Sequence, residues 1–196
     1  MLSLYYPLYP ITISQGFGRN DGYDYTKICN DRGQCLIGHN GLDYIRGWKG
    51  GKYHETDGAN VRAAHAGIIT YTGLDGAGGL TVVVRTVERF WDINGIPTYW
   101  KTVYAHMKSF SCKPMDEVLP GHILGSADST GKSTGAHVHF GLKPIASGEK
   151  EWQWFNTLQA NGFFGAIDPL PYMNGQYAYD VATLIDKVIS NLKGTT

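Results

Sequence analysis

The run Leu80-Thr-Val-Val-Val-Arg-Thr-Val87 limits the fold of this chain more than any other feature. Six of its eight residues branch at Cβ. Such side chains lose rotamer freedom in a helix and pack well on a pleated surface, so the run reads as a β-strand. Residues 66–72 and 100–106 are further strand candidates, and residues 136–142 alternate from one position to the next. Residues 11–18 alternate and then turn, like an edge strand entering a loop. Turn formers separate these runs: the glycines of 73–79, Asp92-Ile-Asn-Gly95, and Leu119-Pro-Gly121, a type II signature leading into a short strand. The 26 glycines and 13 tyrosines fit short strands joined by tight turns better than a helical bundle. The expected fold class is mainly β.

Two regions lack a regular pattern and read as long loops, residues 19–37 and 46–60. The tail differs from the rest. Tyr177, Val181, Leu184, Ile185, Val188, Ile189 and Leu192 recur at helical spacing. They predict a terminal helix over about 176–191, stopped by Gly194 and packed on the domain or on a partner. A second short helix is expected around 152–159. At 196 residues the chain can bury a full core, and no linker divides it. Residues 1–175 therefore read as one domain, with 176–196 as its helical appendage.

Lysine plus arginine number 17 and aspartate plus glutamate 17, so the formal net charge is zero. That argues against a nucleic acid or an anionic membrane held by bulk electrostatics. No apolar stretch approaches the length that spans a bilayer, so no membrane insertion is expected. Oligomeric state is not legible. The cysteines are Cys29, Cys35 and Cys112, an odd count without zinc-finger spacing. Cys29 and Cys35 could close a small loop, but free or buried thiols are the expectation, and cysteine usage does not fix the redox compartment.

Chemistry concentrates in three places: Gly38-His39-Asn40-Gly41-Leu42-Asp43, Tyr104-Ala105-His106, and His137-Val138-His139. In a strand, residues two apart share a face, roughly 6 to 7 Å apart. His137 and His139 can therefore serve one cavity. His39 and Asp43 flank a turn-prone Asn-Gly pair, and imidazole plus carboxylate are ordinary zinc ligands. Spacing does not say which histidines bind and which catalyse. His54, His65 and His122 read as surface or satisfied core groups. Ser129-Thr-Gly-Lys-Ser-Thr-Gly135 imitates part of a phosphate loop. The full pattern needs glycine at 126, where Ser126 stands, and a helix afterwards where a strand is expected. A turn that positions His137 accounts better for Gly131 and Gly135.

These residues, taken in order, resemble the M23 peptidase family, the lysostaphin and LytM-type zinc metallopeptidases. His39-Asn-Gly-Leu-Asp43 resembles its His-x-x-x-Asp element, Val103-Tyr-Ala-His-Met107 its strand bearing a lone histidine, and Thr130-Gly-Lys-Ser-Thr-Gly-Ala-His-Val-His-Phe-Gly141 its glycine-rich approach to His-x-His. Ala64-His-Ala-Gly-Ile-Ile69 and Ile167-Asp-Pro-Leu-Pro-Tyr172 add weaker likeness, so that the resemblance runs from about 11 to 172.

The resemblance implies a twisted, mostly antiparallel sheet with loops forming a groove above it. It implies Zn2+ held by His39, Asp43 and His139, with His106 and His137 beside the metal as catalytic groups. Trp48 and Tyr53 become candidates for substrate contact, or simply cover the sheet edge. The implied activity is hydrolysis of peptide bonds in bacterial peptidoglycan, in a cross-bridge or a stem cross-link. Two rivals remain: a non-hydrolytic wall-binding module of the same fold, and a zinc amidase or carboxypeptidase acting on the same polymer. The start Met-Leu-Ser-Leu-Tyr-Tyr-Pro lacks the pattern of a signal peptide. The expectation is a phage lysin or virion-associated protein, or a secreted enzyme whose signal has been removed, acting on the cell wall.

Overall fold

A computed structural model describes residues 1–92, 94–145 and 161–193. Among them the strands are β1 (Leu4–Tyr6), β2 (Thr12–Gln15), β3 (Leu42–Ile45), β4 (Trp48–Lys49), β5 (Lys52–Tyr53), β6 (Asn60–Arg62), β7 (Gly67–Asp75), β8 (Gly79–Arg85), β9 (Phe90–Trp91), β10 (Pro97–Phe110), β11 (Glu117–Val118), β12 (Ile123–Ala127), β13 (Val138–Ile145) and β14 (Met173–Tyr177). Helix α1 (Ala178–Lys193) follows. The main sheet runs β11-β7-β8-β10-β13-β3-β2, with β12 bridging β10 and β6. Its neighbours pair antiparallel throughout, whereas β1 and β14, from opposite ends of the chain, pair parallel in a separate two-stranded sheet. The architecture is a mainly β, twisted antiparallel sheet with groove-forming loops and a C-terminal helix.

The strongest predicted strand becomes β8, and Thr81 to Val84 are all buried. The continuous apolar run reflects cover on both faces. β10 lies between β8 and β13 as the central strand and carries Trp100 and Tyr104, both fully buried. Tyr104 packs edge-on against Phe140, which also faces Tyr44. At roughly 1.5–3 kcal/mol for each large apolar side chain taken from water, this aromatic layer dominates the core. The Leu119-Pro-Gly121 turn closes with the His122 N–H donating to the Leu119 carbonyl at 3.1 Å, and Gly121 takes φ 92°. Both features belong to the type II turn expected there.

The edge strand expected near residue 11 is β2, at the end of the main sheet. Residues 46–60 are more ordered than expected. Gly50 and Gly51, both at positive φ, make a two-residue hairpin turn between β4 and β5, a signal hidden by glycine's ambiguity between loop and turn. Against the expectation of free thiols, Cys29 and Cys35 form a disulfide at the tip of the first long loop, where an isolated antiparallel bridge brings the two residues opposite each other, and Cys112 is free. Helix α1 starts two residues later than predicted. Its Ala178 and Ala182 sit against Gly121, where a side chain at 121 would have no room, while Leu184, Val188 and Ile189 are exposed. The short helix expected at 152–159 lies outside the described residues. No described helix is long and apolar enough to cross a membrane.

Candidate metal centre

Four strands set one row of residues. Gln15 on β2 pairs with Asp43 on β3, Asp43 with His139 on β13, and His139 with Ala105 on β10. Asp43 and His139 thus face each other by sheet register. His39 arrives from the loop before β3. Its backbone N–H donates to the Arg19 carbonyl, and its own carbonyl accepts from the Gly18 N–H.

Three ligand atoms converge. His39 Nε2 lies 2.9 Å from His139 Nδ1 and 3.0 Å from Asp43 Oδ1, which is 3.1 Å from His139 Nδ1. The His39 Nδ1–H donates to the Gly16 carbonyl at 3.0 Å, so the Nε2 of the neutral ring carries its lone pair inward. Burial alone drives the Asp43 carboxyl toward protonation, but hydrogen bonds with His139 and His39 overcome it and hold the group well below the usual carboxylate range. Burial lowers the pKa of His139. Two imidazole nitrogens and a carboxylate oxygen this close repel unless a proton or a cation lies among them, and with both rings neutral and their lone pairs inward a cation is what the cluster takes. Their spacing is close to the roughly 3.3 Å edge of a tetrahedron with zinc bonds of 2.0–2.1 Å. The donor set therefore fits zinc.

Two more histidines border the cluster. The His137 Nδ1–H donates to the Gly135 carbonyl at 2.8 Å, and its Nε2 is 3.6 Å from Asp43 Oδ2. The His106 Nδ1–H donates to the Thr130 carbonyl at 2.7 Å, and its ring centroid is 4.5 Å from that of His137. Burial, aided by His139 and His137, pushes the His106 pKa down to about 4. His106 has φ 61°, and the register of β10 against β8 shifts across it, between Tyr104 and Met107. This β-bulge re-aims the side chain at a backbone conformation that costs energy, a combination that marks functional sites.

The apparent phosphate loop supplies the anchors. Thr130 holds His106 through its carbonyl, while its hydroxyl donates to the Met107 carbonyl at 2.7 Å and accepts from the Leu80 N–H at 3.0 Å. Gly135 holds His137, as the sequence suggested for that turn. Sequence reading missed three contributors. The Tyr25 ring lies 5.5 Å from that of His39. The Gly16 carbonyl orients His39. Gly41 leaves space for the His139 ring. A tyrosine in a loop and two glycines carry no signal in isolation.

The other histidines have structural partners. His65 is buried between the Ala66 carbonyl and the Thr102 hydroxyl, His54 faces Arg46, and His122 accepts from the Leu119 N–H. Trp48 and Tyr53 form a cross-strand pair, 75% and 48% exposed, on a hairpin anchored by Lys49 over the rings of Tyr9 and Tyr177.

The sequence profile of Peptidase family M23 matches residues 46–151, just over half of the chain. The chain belongs to peptidase family M23. That match takes in His106, His137 and His139 and begins after His39 and Asp43. Among curated M23 relatives, the DD-carboxypeptidase/endopeptidase Mpg of Neisseria meningitidis serogroup B is 34% identical over 116 residues, covering 59% of this chain and 24% of that protein. The glycyl-glycine endopeptidase ALE-1 of Staphylococcus capitis is 34% identical over 102 residues, covering 50% and 26%. The chain thus matches about a quarter of the length of these relatives. The catalytic domain of lysostaphin from Staphylococcus simulans superposes with a TM-score of 0.52 at 22% identity, over 82% of this chain and 90% of that one, and shares the fold.

Proposed function

We propose that this M23 protein is a zinc-dependent endopeptidase that hydrolyses peptide bonds of bacterial peptidoglycan, with a peptidase unit over residues 1–175 and residues 176–196, which carry α1, appended. The observation that carries the proposal is the convergence of His39, Asp43 and His139 beside two histidines whose Nδ1 atoms are already committed. His39, Asp43 and His139 would hold the zinc, which would supply Lewis acidity toward the scissile carbonyl and toward water. His106 is neutral at physiological pH, because burial keeps its pKa near 4, and its Nε2 is the free lone pair. His106 or His137 accepts the proton of the attacking water at Nε2, while Nδ1–H stays on its backbone carbonyl. The other, carrying a proton at Nε2 as well, hydrogen-bonds the developing oxyanion, and the low pKa of His106 favours His106 as the acceptor and His137 as this donor. Fixing both rings beforehand lets neither pay reorganisation cost in the transition state.

The substrate side rests on relatives: one is named a glycyl-glycine endopeptidase, which supports a cross-bridge. A second reading has its own support, since the Neisseria relative is named for carboxypeptidase as well as endopeptidase action. Mass spectrometry of peptidoglycan fragments, with zinc and with a chelator, separates them. Endopeptidase action leaves a new amine between peptides and a carboxypeptidase frees one terminal residue. An amidase frees peptide from sugar. Unchanged fragments from several wall types, despite bound zinc, refute the enzymatic reading and favour a wall-binding module. The place of action on this proposal is the cell wall, as a phage-borne or exported enzyme.

A further inference from the structure

The disulfide loop is connected to the metal centre by an unbroken series of contacts. Between Cys29 and Cys35 the chain is shaped by Asn30, whose side-chain carbonyl accepts from the backbone N–H of Arg32 and of Gln34, both at 3.0 Å. Immediately inside the disulfide, the Leu36 N–H donates to the Ile28 carbonyl at 3.0 Å and the Ile28 N–H to the Tyr25 carbonyl at 2.9 Å. Leu36 is buried. Tyr25 opens a short 3-10 turn, Tyr25–Lys27, capped by Asp24.

The Tyr25 ring is buried and packs at 38° on the imidazole of His39, and its hydroxyl reaches Gln15, the residue paired with Asp43. The hydrogen bond from His39 Nδ1 to Gly16 fixes one ring atom and still lets the imidazole rock about it. A second ring packed against it limits that motion. Partners of this kind around a metal ligand set its affinity as well as its orientation.

We propose that Tyr25 is a positioning residue for His39 and that the Cys29–Cys35 disulfide holds Tyr25 in place, so that reducing the loop weakens metal binding, a proposal that rests on reading His39, Asp43 and His139 as a metal centre. Reduction breaks the S–S bond and forms two S–H bonds. The two electrons and two protons come from a dithiol, or from a phosphine and water as the phosphine becomes its oxide. The tip then loses its closure, the Leu36–Ile28 pairing frays, and Tyr25 no longer constrains the ring beside it. Metal loading is thereby coupled to an oxidising environment, the kind in which disulfides persist.

The test is zinc affinity by chelator competition, with cobalt absorption as a spectroscopic check, on the full chain. The oxidised protein is compared with itself after phosphine reduction and after reoxidation. Four variants accompany it: Cys29→Ser/Cys35→Ser, Tyr25→Ala, Tyr25→Phe, and Tyr25→Ala combined with both serines. Reduction, the double serine change and Tyr25→Ala each weaken zinc binding about tenfold, in the range for partners of metal ligands. Tyr25→Phe, which keeps the ring, stays within about twofold of the parent, and reoxidation restores the parent affinity. The combined variant is no weaker than Tyr25→Ala alone, because both changes remove one interaction. Equal affinity of oxidised and reduced protein overturns the proposal, and so does a combined loss equal to the product of the separate ones. Oxidised parent protein that takes up no zinc overturns the metal-centre reading itself. If the serine variant does not fold, the reversible reduction of the parent decides.

Discussion

Gly41→Ala is the sharpest single perturbation of the site. Gly41 adopts an ordinary backbone conformation, so alanine meets no conformational penalty there. The added Cβ would stand 2.6 Å from the Phe140 carbonyl oxygen, 2.7 Å from His139 Cε1 and 2.8 Å from His139 Nε2, where ordinary contact begins at 3.4 Å. The Phe140 carbonyl belongs to the β3–β13 ladder, in which Leu42 pairs with Phe140, and yields little. The imidazole must therefore retreat by roughly 0.7 Å, several times the ±0.2 Å that metal–ligand distances tolerate. Overpacking costs about 1–3 kcal/mol of stability in the metal-free protein. Zinc affinity should fall at least about tenfold. At zinc a hundredfold above the parent Kd, binding stabilises the parent by about 2.7 kcal/mol, and a tenfold weaker variant gains only about 1.4 kcal/mol. Urea melts with and without zinc, beside chelator competition, measure both effects. A Gly41→Ala protein with the parent's affinity and zinc increment would refute the assignment of His139 as a ligand held at that spot.

Three further outcomes follow from the same geometry. His106→Asn, chosen because asparagine tolerates the left-handed backbone at 106, should keep zinc affinity within about twofold while turnover falls at least about 100-fold, a split read by chelator competition beside a peptidase assay. Thr130→Val removes the two hydroxyl hydrogen bonds, with the half-buried Leu80 N–H and with the Met107 carbonyl, and loosens the His106 anchor; it should cost about 1–3 kcal/mol in a urea melt and lower kcat with zinc affinity unchanged. His65 has its pKa pushed down to about 4 by burial, so the folded state resists protonation. Its contribution is complete above the unfolded value near 6.5, is lost as pH falls from there to about 4, and totals on the order of 3 kcal/mol. Urea melts of the parent should show that decline, and His65→Gln should flatten it.

The strands were legible because branching at Cβ and alternation are local properties, and β8 is the plainest case. The histidine pair His137 and His139 was legible because a strand places residues two apart on one side, and both now border Asp43. What escaped was set by tertiary pairing. The bulge at His106 depends on how β10 pairs with β8, whose register shifts between Tyr104 and Met107, and nothing in Tyr104-Ala105-His106 shows that. Likewise, Tyr25 meets His39 only because a disulfide and a short turn fold a long loop back on itself. The expected irregular segment at 46–60 contains a hairpin because Gly50-Gly51 satisfies a mirror-image turn that the same letters do not distinguish from slack chain.

The extra residue lodged in β10 at His106 has a further consequence. A strand one residue shorter there would make a plainer ladder with β8, free of left-handed backbone. The sheet would be content without the histidine. Selection or engineering for thermal robustness alone would tend to iron out that kink and discard the side chain it presents. Sheltering position 106 from any stability screen is the practical corollary: the least regular point of the strand is the one to leave untouched.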